Sequence, residues 1–180
     1  MKRGLYIGRF QPFHKGHLYV VKRALEEVSE VIIGIGSTQA NYDIDNPFTC
    51  GERMEMIRAA LEEAGIEHKR YWLIPIPDIH NNIVWVTHVV SLCPKFSIVY
   101  GGNPHTLLLF EDMGYEVRRV QLYKSELYSG TEIRRRIIND EPWEDLVPPA
   151  VAEFIRRIDG VRRLKILAEA YEIDKKLKKA

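Results

Sequence analysis

Short apolar runs and helix-period segments alternate along this chain. Leu5–Ile7, Val31–Ile35, Trp72–Ile76 and Phe96–Tyr100 are short and mostly apolar, the pattern of parallel strands buried on both faces. Tyr115–Val120 alternates apolar with charged residues, which predicts a less covered edge strand. Between them Leu18, Val21, Leu25 and Val28 form one helical stripe, and Met54, Ile57, Leu61 and Ala64 another. Thr49 and Glu52 have capping-box spacing at the start of the second helix, and Gly65 marks its end. Residues 81–93 and 104–113 supply two further helical crossovers. The expected fold is α/β, an open parallel sheet with helices on both faces. Residues 129–139, 148–158 and 161–176 then read as helices only, a C-terminal helical extension in which Val151, Phe154, Ile155 and Ile158 form a docking face. In the last helix Leu164, Leu167, Ala168 and Tyr171 offer an apolar face to the chain's own domain or to a neighbouring subunit.

A length of 180 residues with 46% hydrophobic content fits a single domain. It divides into an α/β core over 1–127 and a helical part over 128–180. The formal charge of +1 gives no reason to expect nucleic acid or a membrane as partner. From Arg156 onward nine Lys or Arg face four Asp or Glu, which reads as a solvated helical tail. No stretch has the roughly 18 apolar residues of a membrane helix and no signal-peptide pattern opens the chain. Cys50 and Cys93 are far apart and outside any CxxC pair. The expectation is a cytoplasmic protein with reduced thiols.

Two stretches carry chemistry. In GRFQPFHKGH, residues 8–17, His14 and His17 stand three apart where a strand gives way to a helix. Free N–H groups at a helix start, two imidazoles and the Arg9 guanidinium make a site for a polyanion, most naturally a nucleotide's phosphates. Gly16 would allow close approach of backbone and phosphate. A zinc site lacks a third ligand at recognisable spacing. Gly34-Ile35-Gly36 opens a dinucleotide-type glycine pattern, but Gln39 stands where its third glycine belongs. The second stretch is SGTEIRRR, residues 129–136. Ser129 and Glu132 have capping-box spacing, but capping alone does not ask for Thr131 and Arg134. The expectation is a second phosphate cradle in which Ser129 and Thr131 place hydroxyls beside the free N–H groups and Arg134 reaches back over the same helix end.

HxGH after the first strand, with SGTEIR on a late helix, resembles the HxGH nucleotidyltransferase superfamily. Over nearly the whole chain the resemblance is to the archaeal nicotinamide-nucleotide adenylyltransferases. NPFTCGER at 46–53, IPIPDI at 74–79, Asn82 with Trp85, and EPWEDLVP at 141–148 extend the match. This resemblance implies a Rossmann-like fold, ATP and nicotinamide mononucleotide as substrates, NAD as product, Mg²⁺ as helper and a homo-oligomer, commonly a hexamer. Phosphate and nucleotide contacts are expected from Gly8, Arg9, Phe10 and Gly16 in the first motif and from Ser129 and Thr131 in the second. Ser37, Gln39, Gly102 and Asn103 are expected at other strand ends. The chain departs from the family pattern at Asn41-Tyr42-Asp43, where Ser-His-Thr is usual, and at Gly101, where serine is usual. Some relatives in the superfamily carry a Nudix hydrolase domain. None is expected in a chain this short and without the Glu-rich motif.

The implied reaction joins the acceptor's phosphate to the α-phosphorus of ATP and expels pyrophosphate. The attacking phosphate, with a second pKa of about 6, is already ionised, so no strong base is needed. His14, His17 and Arg134 are the expected catalytic donors. Mg²⁺ would be held by phosphate oxygens and water, so no protein metal ligands are expected. Trp85 can stack on a pyridinium ring, Asn82 can pair with a carboxamide, and Asp78 can accept from ribose hydroxyls. The bland alternative for this trio is a core tryptophan with a capping asparagine. Rival functions are nucleotidyl transfer to another phosphorylated acceptor, such as phosphopantetheine or flavin mononucleotide, and a non-catalytic nucleotide sensor.

Overall fold

The computed structural model describes residues 2–121 and 126–177. Strands β1 (Arg3–Gly8), β2 (Glu30–Ile35), β3 (Tyr71–Pro75), β4 (Ile98–Gly101) and β5 (Glu116–Arg119) form a parallel sheet in the order β3-β2-β1-β4-β5. Helices α1 (Lys15–Glu27), α2 (Cys50–Glu63), α3 (Asn82–Leu92) and α4 (Pro104–Asp112) follow the first four strands in turn. After β5 come α5 (Gly130–Ile138), α6 (Pro149–Arg157) and α7 (Gly160–Leu177).

The period of two in the strands divides their side chains between two cores. Tyr6, Ile33, Ile35 and Tyr100 face α1, α2 and the C-terminal helices, whereas Leu5, Ile32 and Val99 face α3 and α4. The expected Rossmann-like sheet with both faces covered is therefore present. Its strand order reverses between β1 and β4. Open α/β sheets form a ligand crevice at the carboxyl ends of strands flanking such a switch point.

Three local expectations change. β3 is an edge strand, not a covered one; Trp72 is 44% exposed and its indole N–H donates to Glu30 Oε2 at 2.6 Å. The face of α2 is rotated. Arg53, Met56, Ile57, Ala60 and Leu61 are buried, while Met54 and Ala64 are only half-covered. Both ends of α2 hold: Thr49 and Glu52 exchange the two bonds of a capping box, and Gly65 ends the helix at φ +71. In α7 Leu164 is fully buried among the chain's own residues, but Tyr171 and Ile173 stay exposed. Thus only the first part of that apolar face docks within the chain.

Candidate active site

At the carboxyl end of β1 the chain turns through Phe10, whose φ of 54 sends its ring back into the core beside Tyr6, Phe13 and His17. Gly8 accommodates that ring, because a Cβ there would lie 2.8 Å from it. The next turn starts α1 with an unusual cap. His14 Nδ1 accepts from the His17 backbone N–H at 3.3 Å, and His17 Nδ1 accepts from the His14 N–H at 3.2 Å. Two histidines thus do what Ser/Thr and Glu do in an ordinary capping box. Their rings stack with centroids 3.4 Å apart. A Cβ on Gly16 would fall 3.0 Å from His14 Nδ1 and 3.2 Å from Tyr128 Cβ. Gly16 therefore makes room for the imidazole and Tyr128.

This cap fixes the protonation of both rings. A backbone N–H can only donate, so each Nδ1 must be an unprotonated acceptor, and the remaining proton of a neutral ring sits on Nε2. Burial drives the His14 pKa down to about 3. Burial and the neighbouring His14 drive that of His17 well below its ordinary value. Both side chains line a cleft of about 720 Å³ at the switch point. The pair consequently offers the cleft neutral N–H donors rather than imidazolium cations.

Loops from three elements are held around this pair by buried guanidinium groups. Arg53, fully buried, donates through Nη1 to the carbonyls of Arg9 (2.8 Å) and Gly36 (2.7 Å) and through Nη2 to that of Ser37 (3.0 Å). No motif in the sequence marks Arg53 for this role. Gln11 reaches the same loop, exchanging two side-chain bonds with the Phe48 backbone. Its own carbonyl accepts from Arg134 Nη1 at 2.9 Å, and Arg134 Nη2 meets Asp45 Oδ1 at 3.1 Å. Arg134 is 5% exposed and lies behind Gly130, not on the cleft surface. Gly130 is needed at this crossing, since its Cβ would lie 2.8 Å from the Gln11 carbonyl oxygen.

The second motif caps α5 by only half of the expected box. Ser129 Oγ accepts from Glu132 N at 3.2 Å, but the Glu132 carboxylate turns to Arg135 and Arg136, which hold its pKa down at about 2. Ser129 and Gly130 line the cleft, whereas Thr131 is exposed and does not. On the β2–β3 side Gln39 exchanges two hydrogen bonds with Asp78, whose Oδ1 also accepts from Ser37 N at 3.2 Å. Ser37 and Asp78 line the cleft with Trp85, which packs edge-on against Phe110. Asn82 sits in an adjoining hollow of about 260 Å³ that shares Asp78 and Trp85; Asn81, not Asn82, caps α3. On the β4–β5 side Gly102 and Asn103 line the cleft, and Asn103 Oδ1 caps α4. The exposed side chain of Arg119 shares that wall and was not foreseen, because a terminal charge on an edge strand carries no local signature. Arg9 lines the centre beside the histidines.

A cytidylyltransferase-like family model matches residues 5–136. A nicotinamide-nucleotide adenylyltransferase from Thermococcus kodakarensis is 52% identical over 98% of this chain and 94% of its own length. One from Pyrococcus horikoshii is 53% identical over the same shares. The chain belongs to the nicotinamide-nucleotide adenylyltransferase family. It is accordingly an enzyme, a nucleotidyltransferase. Among solved structures it resembles a bifunctional NMN adenylyltransferase/ADP-ribose pyrophosphatase from Francisella tularensis, with TM-score 0.81, 25% identity and 99% of this chain aligned. The chain spans 57% of that longer protein. A structure of a protein with that same description and organism, in complex with AMP and a manganese ion, aligns with TM-score 0.78 and 26% identity over 99% of this chain and 56% of that one.

Two outcomes follow from the geometry. The unfolded chain binds protons on both histidines below about pH 6.5, whereas the folded chain resists this until far lower pH. Stability is therefore full above that pH and falls on acidification at up to about 1.4 kcal/mol per pH unit for each ring. Urea midpoints at pH 7.5, 6 and 5 should decline, and less steeply in His14→Asn; a flat wild-type profile would refute the cap. Separately, Gly130→Ala should lower the melting temperature and turnover by pushing α5 off the Gln11 carbonyl. Gly51→Ala on α2, with nothing within 4 Å of the added Cβ, should leave both intact. Equal behaviour of the two variants would show that the close approach at Gly130 is unimportant.

Proposed function

We propose that this chain transfers the adenylyl group of ATP to nicotinamide mononucleotide, giving NAD and pyrophosphate. The observation that carries the reading is the pair of neutral imidazoles at the centre of the cleft, flanked by the Asp78–Trp85 wall on the β3 side. The acceptor's phosphate oxygen attacks the α-phosphorus of ATP; the new P–O bond forms as the bond to the β-phosphate oxygen breaks and pyrophosphate leaves. Charge on the equatorial and leaving oxygens is what the site must stabilise. Nε2–H donors of His14 and His17 suit that task, as does the Arg9 guanidinium. The free N–H groups at the start of α5 receive the polyphosphate beside Ser129. Arg134 adds positive charge from behind Gly130.

The β3 side takes the acceptor nucleoside. Trp85 gives the pyridinium a π face, Asn82 in the adjoining hollow pairs with the carboxamide, and Asp78 accepts from ribose. The opposite wall, at Gly102 and Asn103, takes the ATP nucleoside. Phe10 and Gly16 shape the histidine cap rather than touching substrate, and Gln39 aims Asp78. Mg²⁺ is the cation of this reading. Among the described residues Asp78 is the one carboxylate on the cleft surface, and its oxygens already accept from Ser37 and Gln39. That donor set would leave the cation to phosphate oxygens and water, where it would offset charge on the transferring groups.

The same reading makes the chain a single catalytic unit, cytoplasmic and assembled as a homo-oligomer, with a hexamer as the specific expectation. Exposed Ile83, Tyr171 and Ile173 supply apolar surface for such an assembly. No helix of the described residues is long and apolar enough to cross a membrane.

Purified protein with ATP, Mg²⁺ and nicotinamide mononucleotide should release pyrophosphate and form NAD, both lost on adding a chelator. Efficient adenylylation of flavin mononucleotide or phosphopantetheine in place of NAD formation would reject the acceptor assignment. Trp85→Ala should raise KM for the acceptor about five- to 150-fold, the equivalent of ~1–3 kcal/mol of ring stacking, with KM for ATP little changed. Equal loss for both substrates would mark Trp85 as a core residue instead.

A further inference from the structure

Arg134 stands one missing side chain behind the cleft wall. Its Nη1 lies 3.1 Å from where a Cβ on Gly130 would be, and Gly130 itself lines the cleft. A guanidinium so placed has several N–H groups, and two contacts hold it: the Gln11 carbonyl and the Asp45 carboxylate. The two contacts differ in kind. Gln11 is buried and locked to Phe48, so its carbonyl is a fixed, neutral acceptor. Asp45 is a surface residue, with its side chain 68% exposed against 6% for Arg134. It is nevertheless aimed. Asp43 Oδ1 accepts from the backbone N–H of Asp45 at 2.8 Å and of Asn46 at 2.7 Å, and the Asn46 amide bonds both Asp43 oxygens. The adjoining Tyr42 ring lies under Arg163, 4.6 Å from its centroid, and Arg163 forms a two-pronged pair with Glu52. A tied loop thus delivers one carboxylate to one buried guanidinium.

We propose that Asp45 is a positioning residue for adenylyl transfer: it holds the Arg134 guanidinium behind Gly130 and offsets part of its charge, so that polyphosphate is oriented without being held too tightly to leave. This rests on the reading that Arg134 serves the polyphosphate. Its signature is a split that a purely structural ion pair would not give. Without the carboxylate the cation attracts pyrophosphate more strongly, while the alignment of the transferring group and the release of product both suffer.

The test compares Asp45→Asn, Asp45→Glu and Arg134→Gln with the unaltered chain. Readouts are calorimetric binding of inorganic pyrophosphate with Mg²⁺, kcat and KM for ATP in NAD synthesis, and the melting temperature. Asp45→Asn should bind pyrophosphate about three- to tenfold more tightly, as expected for removing one opposing charge a few ångströms away in a partly screened site. Its kcat should fall about tenfold with no rise in KM for ATP, and Asp45→Glu should restore both values to within about twofold. Weaker pyrophosphate binding in Asp45→Asn, or binding and kcat both unchanged, overturns the inference if Arg134→Gln is impaired in both. Should Arg134→Gln itself bind and turn over normally, the Arg134 reading fails and the inference falls with it. Asp45→Ser, read by the same criteria, replaces Asp45→Asn if that variant does not fold.

Discussion

The backbone carbonyls where the β1 and β2 loops leave the sheet are the constraint on which the site depends. They turn inward at the switch point, where a buried and unpaired carbonyl is costly. Two guanidinium groups resolve this. Arg53 takes the carbonyls of Arg9, Gly36 and Ser37, and Arg134 takes that of Gln11. Each is a rigid planar fork able to bridge separate segments, which a lysine could not do in the same way. Arg53 ties the β1 and β2 loops to α2, and Arg134 ties the β1 loop to α5. The cleft inherits its shape from these ties, with the histidine cap at its centre.

Electrostatics follow from the same arrangement. Buried guanidinium groups put fixed positive charge beneath the cleft surface, while the histidines remain neutral. Burial alone would raise the Glu52 carboxyl, but hydrogen bonds from Arg163 and Thr49 and the Arg163 charge bring it below its ordinary range. Glu52 therefore stays ionised, closing the α2 cap and pairing with Arg163. In this way α7 is coupled to α2 and, through Arg53 one residue on, to the loops that frame the cleft.

How much of this was legible from sequence depended on the range of each interaction. Strands β1, β2 and β4 were readable because continuous apolar runs report burial directly. The α2 cap and Gly65 were readable because their partners lie within a few residues. β3 was misjudged because an apolar run cannot say whether its strand is central or at an edge; that is decided by the order β3-β2-β1-β4-β5. The face of α2 was misjudged because Arg53 interrupts the apolar stripe and looks solvent-facing until its carbonyl partners are known. The His14–His17 cap has the spacing of an ordinary capping box, but imidazoles are not the residues that motif uses. Glu132 had the right spacing and nearer competitors, Arg135 and Arg136. The SGTEIR motif suggests an Arg134 that reaches back over its own helix end, whereas its guanidinium bonds the carbonyl of Gln11, 123 positions away.

Neutrality of the histidines bears on what the site can do. A protonated pair would attract polyphosphate more strongly, but it would hold substrate and product alike and so lower KM without a matching gain in kcat. A neutral N–H donor interacts weakly with a neutral partner and more strongly as negative charge grows on the oxygen it faces. Because both Nδ1 atoms are engaged by the backbone, the rings are oriented before substrate arrives, which is the condition for stabilising charge without reorganisation. The same bonds cap α1. One pair of residues thus supplies a helix start and a preorganised donor pair, and a change to either ring acts on both.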